Sequence, residues 1–251
     1  IEVYHISNNG VSNARNYGLN HTHGKYIYFV DPDDYLEKEA LEIMWNCIKK
    51  DSVDLVECSY FKNNWDGKRQ EIIHLNSEIA SQKGIESFLM WNGYVTSFCW
   101  DKLYIKEKIG DIRFNTSLKV GEDDLFVFEY LLRCEKISVL DIPLYNYLIR
   151  DNSAIGKVYT RKKKDSVKAA KTVQGICDAN GIMSDRAKLH VGLAAFYSYA
   201  NLLNTVPYKN IKEYDGDCQF YTNYMNMCSY NLIRGYVGLK IAILYKIAQY
   251  Y

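Results

Sequence analysis

Net charge is almost absent from this chain of 251 residues: 31 Lys and Arg stand against 30 Asp and Glu, leaving +1. Without a field of one sign nothing steers it toward nucleic acid, and the basic run from Arg161 to Lys164 reads as a solvated helix start. A long apolar run is lacking too. The longest, Tyr236 to Ala248, includes Lys240 and Lys246 and is too short for a bilayer, which needs about 20 apolar residues. With Arg234 nearby, it suits docking onto a core or lying on an anionic membrane surface. Cysteine occurs seven times but never as C-x-x-C, which excludes the usual zinc and disulfide frameworks and fits a reducing cytoplasm. There is no Ser-His or Cys-His arrangement of the kind that serves a covalent nucleophile. No internal repeat or low-complexity linker divides the chain.

What is present is a pair of acidic clusters. The β-forming run Tyr26-Ile-Tyr-Phe-Val stops at Asp31-Pro-Asp33-Asp34, which is how a strand delivers hard oxygen ligands to a divalent cation at its end. Far downstream, Gly121-Glu122-Asp123-Asp124 opens the apolar run Leu125 to Leu132. Carboxylates there suit a helix N-terminus and could supply a general base. Before the first cluster stands Asn8-Asn9-Gly10-Val11-Ser12-Asn13-Ala14-Arg15-Asn16-Tyr17-Gly18-Leu19. Gly10 permits a turn, Ser12 is a candidate N-cap, and Arg15 in the first helical turn completes an anion-binding helix start.

The run N-x-G-V-S-x-A-R-N-x-G-L followed by G-x-Y-I-x-F-V-D-x-D-D-Y-L closely resembles the core of the family 2 glycosyltransferases with a GT-A fold. Trp100-Asp101-Lys102-Leu103-Tyr104, Gly121-Glu122-Asp123 and Tyr145-Asn-Tyr147-Leu-Ile-Arg150-Asp-Asn-Ser153 extend the likeness to about residue 155. It implies a mixed α/β sheet flanked by helices, with a catalytic domain over 1–155 and a helical region over 156–251. It also implies that the usual N-terminal, uridine-binding part is missing and that Ile1 to Ile6 is the family's third strand. Asp31 and Asp33 would be the D-x-D pair that meets the donor and holds Mg²⁺ or Mn²⁺. Asp123 would be the catalytic base with Glu122 beside it, and Arg15, Trp100, Lys102 and Arg150 would contribute to the donor pocket. Asp101 stands where the family more often has Asn.

The expected activity is inverting transfer of a sugar from a nucleotide diphosphate donor, UDP-linked by preference, to a hydroxyl of a growing cell-surface glycan or lipid-linked saccharide. The alternative is a non-catalytic nucleotide-sugar-binding or scaffold protein. The expected place is the cytoplasm, with peripheral contact at the inner face of the cell membrane as an option; the oligomeric state is left open.

Periodicity predicts a helix over Leu36 to Ile48 that buries Leu41, Met44, Trp45 and Ile48, and strands over Val53 to Tyr60 and Glu71 to Leu75. A helix from Ile85 to Trp91 could carry acceptor contacts through Met90, Trp91 and Tyr94. Helices are expected over Lys164 to Ala179, Ala187 to Leu203 and Phe220 to Ile233. Tyr197, Tyr199, Tyr214, Tyr221 and Tyr224 suit core filling or sugar stacking. Tyr145 and Tyr147 share a strand face, with Arg150 able to reach donor phosphates or brace the Asp123 loop. His21 and His23 suit a helix end, and His5, His74 and His190 have no spacing that suggests a metal or a triad.

Overall fold

The computed structural model describes residues 1–64, 67–74, 77–90, 95–149, 158–237 and 239–249. Its centre is a seven-stranded mixed sheet in the order β1-β6-β3-β7-β2. The strands are β1 (Tyr26–Tyr28), β2 (Tyr35–Leu36), β3 (Leu55–Asn64), β4 (Arg69–Ile72), β5 (Ser77–Ala80), β6 (Lys102–Ile105) and β7 (Lys136–Ile149). β3 and β7 run parallel, and every other pairing is antiparallel. β6 lies against the first half of β3 and β4 against its second half. The register slips between Cys58 and Tyr60, where β3 passes from one neighbour to the other.

Helices cover the sheet: α1 (Val11–His21), α2 (Ala40–Asp51), α3 (Ser81–Met90), the single turn α4 (Lys106–Ile109) and α5 (Glu122–Leu131). On one side, Ala40, Met44 and Ile48 of α2 pack with Val56, Cys58, Trp100 and Tyr145. On the other, Phe126 and Leu131 of α5 and Phe88 of α3 meet Ile137 and Val139. The expected α2 stripe is therefore half right. Met44 and Ile48 are buried, whereas Leu41 and Trp45 stay exposed; Ala40 takes their place because the buried face is set by period 3.6 from Met44.

The second half is helical: α6 (Lys164–Asn180), α7 (Ser184–Thr205), α8 (Asp215–Met225), α9 (Tyr230–Val237) and α10 (Leu239–Ala248). Gly181 ends α6 in the left-handed conformation, φ 65°. The helix expected over Phe220 to Ile233 is two helices. The chain turns inward at Cys228, whose thiol donates to the Lys188 carbonyl at 3.2 Å, and Ser229 accepts the Leu232 N–H at 3.2 Å to start α9. Tyr199 and Tyr221 are core residues, while Tyr197 is half exposed. The boundary expected near residue 155 lies outside the described residues, as do Trp91, Tyr94 and Ser153. Among the described residues, no helix is long and apolar enough to cross a membrane.

Residues Ile1 to Gly10 form no strand and are exposed throughout. Among the described residues no strand lies beside this segment to complete a ladder, so the propensity of its β-formers is not realised.

Candidate active site

The motif that precedes the first acidic cluster becomes α1. Gly10, with φ 91°, takes the cap position, so Ser12 falls inside the first turn and is buried rather than capping, and Arg15 lies one turn further on. Asn16 fixes this helix to a distant loop by a two-way bond: its Nδ2 donates to the Phe114 carbonyl at 2.8 Å, and its Oδ1 accepts the Phe114 N–H at 2.8 Å. That clasp puts the Phe114 ring 5.2 Å from the Arg15 guanidinium. Phe114 is in turn stacked on Phe126 of α5 at 4.0 Å.

Held there, Arg15 reaches both acidic clusters. Its Nη2 meets Asp31 Oδ1 at 2.9 Å, and its Nη1 meets Glu122 Oε1 at 3.3 Å and also Asp123 Oδ1. Three carboxylates, one from the turn after β1 and two from the first turn of α5, thus converge on one guanidinium whose side chain keeps only 11% of its surface. Burial pushes the Asp123 carboxyl up to about 6; Arg15 opposes the shift and Glu122 adds to it. The Cys99 thiol hydrogen-bonds Asp123, and burial raises that thiol well above its ordinary range. Burial also works against the Arg15 charge, but its acidic neighbours outweigh it and hold the cation firmly.

The first cluster is held from β7. The Tyr145 hydroxyl accepts the Asp31 N–H at 3.2 Å and donates to Asp34 Oδ2 at 2.7 Å, while the Leu148 N–H donates to Asp34 Oδ1 at 2.8 Å. Asp34 is therefore consumed in shaping the turn. Asp31 and Asp33 are partly exposed at its tip, and their carboxylate oxygens are the hard donors that Mg²⁺ or Mn²⁺ prefers. Tyr145 and Tyr147 do share a face: both stack on the Trp100 ring, at 4.4 and 5.6 Å, and Phe98 covers its other side at 4.7 Å. Tyr145 thus braces the Asp31 turn. Arg150 itself lies outside the described residues.

Trp100 and Lys102 do not join the Arg15 cluster. Trp100 is 4% exposed within its aromatic stack. Lys102 is fully buried, its ammonium 2.7 Å from Asp101 Oδ1 and 3.0 Å from Glu57 Oε2, with further bonds to the Thr96 hydroxyl and the Phe98 carbonyl, both 2.8 Å. Burial pushes Glu57 up to about 8 against the pull of Lys102. Glu57, His74 and Asp101 stand close enough to share a metal ion, but the Lys102 ammonium already lies between the two carboxylates and supplies the cation there. Asp101, adjacent in sequence, gives Lys102 a second acidic partner beside Glu57. This knot ties the loop that carries Cys99 and Trp100, so both residues bear on the site through that loop.

Tyr145 carried a signal in the sequence, as one of a pair of tyrosines on an alternating strand. His190 carried none: it lies 66 positions from its partner Asp124, whose Oδ2 is 3.0 Å from His190 Nε2.

Comparison with known proteins follows the same outline. The family model described as Glycosyl transferase family 2 matches residues 1–111. A glycosyltransferase named GlyA from Streptococcus pneumoniae is 32% identical over 62% of this chain, which covers 23% of that protein. The uncharacterized glycosyltransferase EpsJ of Bacillus subtilis is 28% identical over 61% of this chain and 46% of its own length. The chain thus spans less than half of either relative. In fold it matches S. aureus TarS 1-349, crystallised in complex with UDP-GlcNAc, with a TM-score of 0.64 at 18% identity over 96% of this chain and 71% of that one. The mixed sheet flanked by helices is the GT-A-like architecture of that protein.

Proposed function

We propose, from the match of residues 1–111 to the Glycosyl transferase family 2 model, that the Arg15 cluster is the centre of an inverting glycosyltransferase using a UDP-linked sugar. The observation that carries the reading is the meeting of Asp31 and Asp123 on one guanidinium, which brings a D-x-D turn and a basic carboxylate to one place. The donor in the TarS complex supports a nucleotide-diphosphate sugar. The poly(ribitol-phosphate) beta-N-acetylglucosaminyltransferase TarP of Staphylococcus aureus, 27% identical over 55% of this chain and 41% of its own length, supports a polymer hydroxyl as acceptor.

In this reading Asp31 and Asp33 would hold Mg²⁺ or Mn²⁺, which when bound supplies Lewis-acid neutralisation of the departing diphosphate. Arg15, released from Asp31, adds a positive charge at the same place. Asp123 takes the proton of the acceptor hydroxyl as its oxygen forms the new bond to the anomeric carbon and the carbon–diphosphate bond breaks on the opposite face. A carboxyl raised to about 6 is a better base than an ordinary aspartate while still largely ionised at neutral pH.

The test is UDP release from a panel of UDP-sugars in the presence of Mn²⁺, with calorimetric UDP binding measured beside it for the wild type and Asp33→Ala. Turnover, with metal-dependent binding lost in Asp33→Ala, is the expected outcome. Binding without turnover in every member of the panel would instead establish a nucleotide-sugar-binding protein.

A further inference from the structure

The helix that carries Glu122 and Asp123 is anchored from the second half of the chain. Gly121 precedes α5 with φ 87°, and a Cβ there would come within 3.0 Å of Ala169 Cβ and 3.1 Å of Ser166 Cα on α6. Two turns of chain therefore touch with no room for a side chain. Asp165, also on α6, accepts the Lys119 N–H at 3.0 Å. The third anchor is His190 of α7, fully buried, with Nε2 3.0 Å from Asp124 Oδ2 and Nδ1 3.3 Å from the Leu89 carbonyl oxygen. Its ring stacks on Phe88 at 5.4 Å.

The chemistry of that ring is constrained. Nδ1 faces a carbonyl oxygen, which only accepts, and Nε2 faces a carboxylate oxygen, so both ring nitrogens are engaged by oxygen partners. A charged or acidic hydrogen bond in a dry setting is strong and directional, and it grips the residue next to Asp123. The Phe88 ring and the Leu89 carbonyl of α3 hold the imidazole as well.

We propose that His190 is a positioning residue for the reaction, acting through Asp124 to fix the first turn of α5 and with it the direction of the Asp123 carboxylate. The inference rests on Asp123 being the base of the proposed transfer. It gives the helical second half a part in catalysis: the turn after β1 and the start of α5 supply the acidic clusters, and α6 and α7 set the angle of the second. Misplacement of a reacting group by about 1 Å costs on the order of a hundredfold in rate, which is the scale on which such an anchor matters.

Three variants of the full chain test it. His190→Phe keeps the ring stack and removes both polar contacts, His190→Gln retains a donor for Asp124, and Asp124→Asn retains an acceptor for His190. For the UDP-sugar that supports the fastest UDP release, kcat is expected to fall about tenfold to a hundredfold in His190→Phe, with UDP affinity within about twofold of the wild type. Partial recovery is expected in His190→Gln, and a mild loss in Asp124→Asn. Amide exchange over residues 119–125, measured without donor, is expected to quicken in His190→Phe while β3 keeps its protection. Unchanged kcat per folded molecule, or parallel losses of kcat and UDP affinity, would overturn the proposal. Should His190→Phe not fold, wild-type kcat and exchange in both milder variants would overturn it equally. If the wild type releases UDP from no sugar, the proposed function fails by itself, and unaltered exchange over 119–125 would then refute the anchoring.

Discussion

Replacing Arg15 by Ala removes the one cation that three carboxylates share. Asp31, Glu122 and Asp123 keep between 12% and 29% of their side-chain surface, so they are neither dry nor freely solvated. Breaking a buried pair by deleting one partner costs about 3–5 kcal/mol, and solvent screening at this exposure brings the expectation to about 2–3 kcal/mol at pH 7.5. The pH dependence is the sharper test. Asp123 has a folded value of about 6 against 3.8 when unfolded, so the folded state binds the proton more tightly, and its contribution to stability rises as pH falls from 6 to 3.8. Without Arg15 the folded value moves further up, the window widens, and acidification relieves the repulsion among the three carboxylates. The gap between Arg15→Ala and the wild type in urea unfolding should therefore shrink by at least about 1 kcal/mol between pH 7.5 and pH 5.5. A gap that is constant across that range, or one below about 0.5 kcal/mol at pH 7.5, would refute the clamp as an electrostatic device.

Three further outcomes follow from other parts of the molecule. Asp123→Asn should lower UDP-sugar turnover by roughly 10² to 10⁴ with UDP affinity near wild type; if Glu122→Gln shows that loss and Asp123→Asn does not, the base is the neighbour. Tyr145→Phe removes the bond to Asp34 and the acceptor for the Asp31 N–H, and should cost about 1–3 kcal/mol in urea unfolding and weaken Mn²⁺-dependent UDP binding; unaltered binding would detach Tyr145 from the donor turn. Ile243, Leu244 and Ile247 of α10 are exposed while Ala242, Tyr245 and Ala248 are buried, so a double Ile243→Ser, Ile247→Ser variant should sediment less with anionic liposomes than the wild type. Equal sedimentation would leave α10 as a core-docking helix with a bare outer face.

The parts of this molecule legible in sequence are those where one short segment contains both halves of the signal. The D-x-D turn announces itself as β-formers ending in carboxylates, and α5 as an acidic turn leading an apolar run; both lie where the pattern put them. The α6 boundaries follow from apolar period and Gly181 alone. What stayed hidden depends on pairs far apart in the chain. Nothing local in Lys102 distinguishes a donor ligand from an ammonium locked between Glu57 and Asp101, since its partners are fixed by the antiparallel register of β3 and β6. His190 is mute for the same reason. Trp45 and Leu41 show a milder case, in which helical spacing is right but the side of the helix facing the sheet is decided by tertiary contacts.

The parallel pairing of β3 with β7 has a consequence for how the chain comes to exist. Leu55 lies beside Ile137, so the middle of the sheet joins segments roughly eighty residues apart, a closure that must be made before its contacts reward it. On a ribosome that adds about 5–20 residues each second, β3 is synthesised several seconds ahead of its parallel partner. During that interval one edge of an apolar strand has no native neighbour, and the alternatives open to it are other chains in the same condition. Folding yield should therefore depend on chain concentration and on how fast β7 is delivered, and slower translation past Asn64 should enlarge the fraction lost to aggregation.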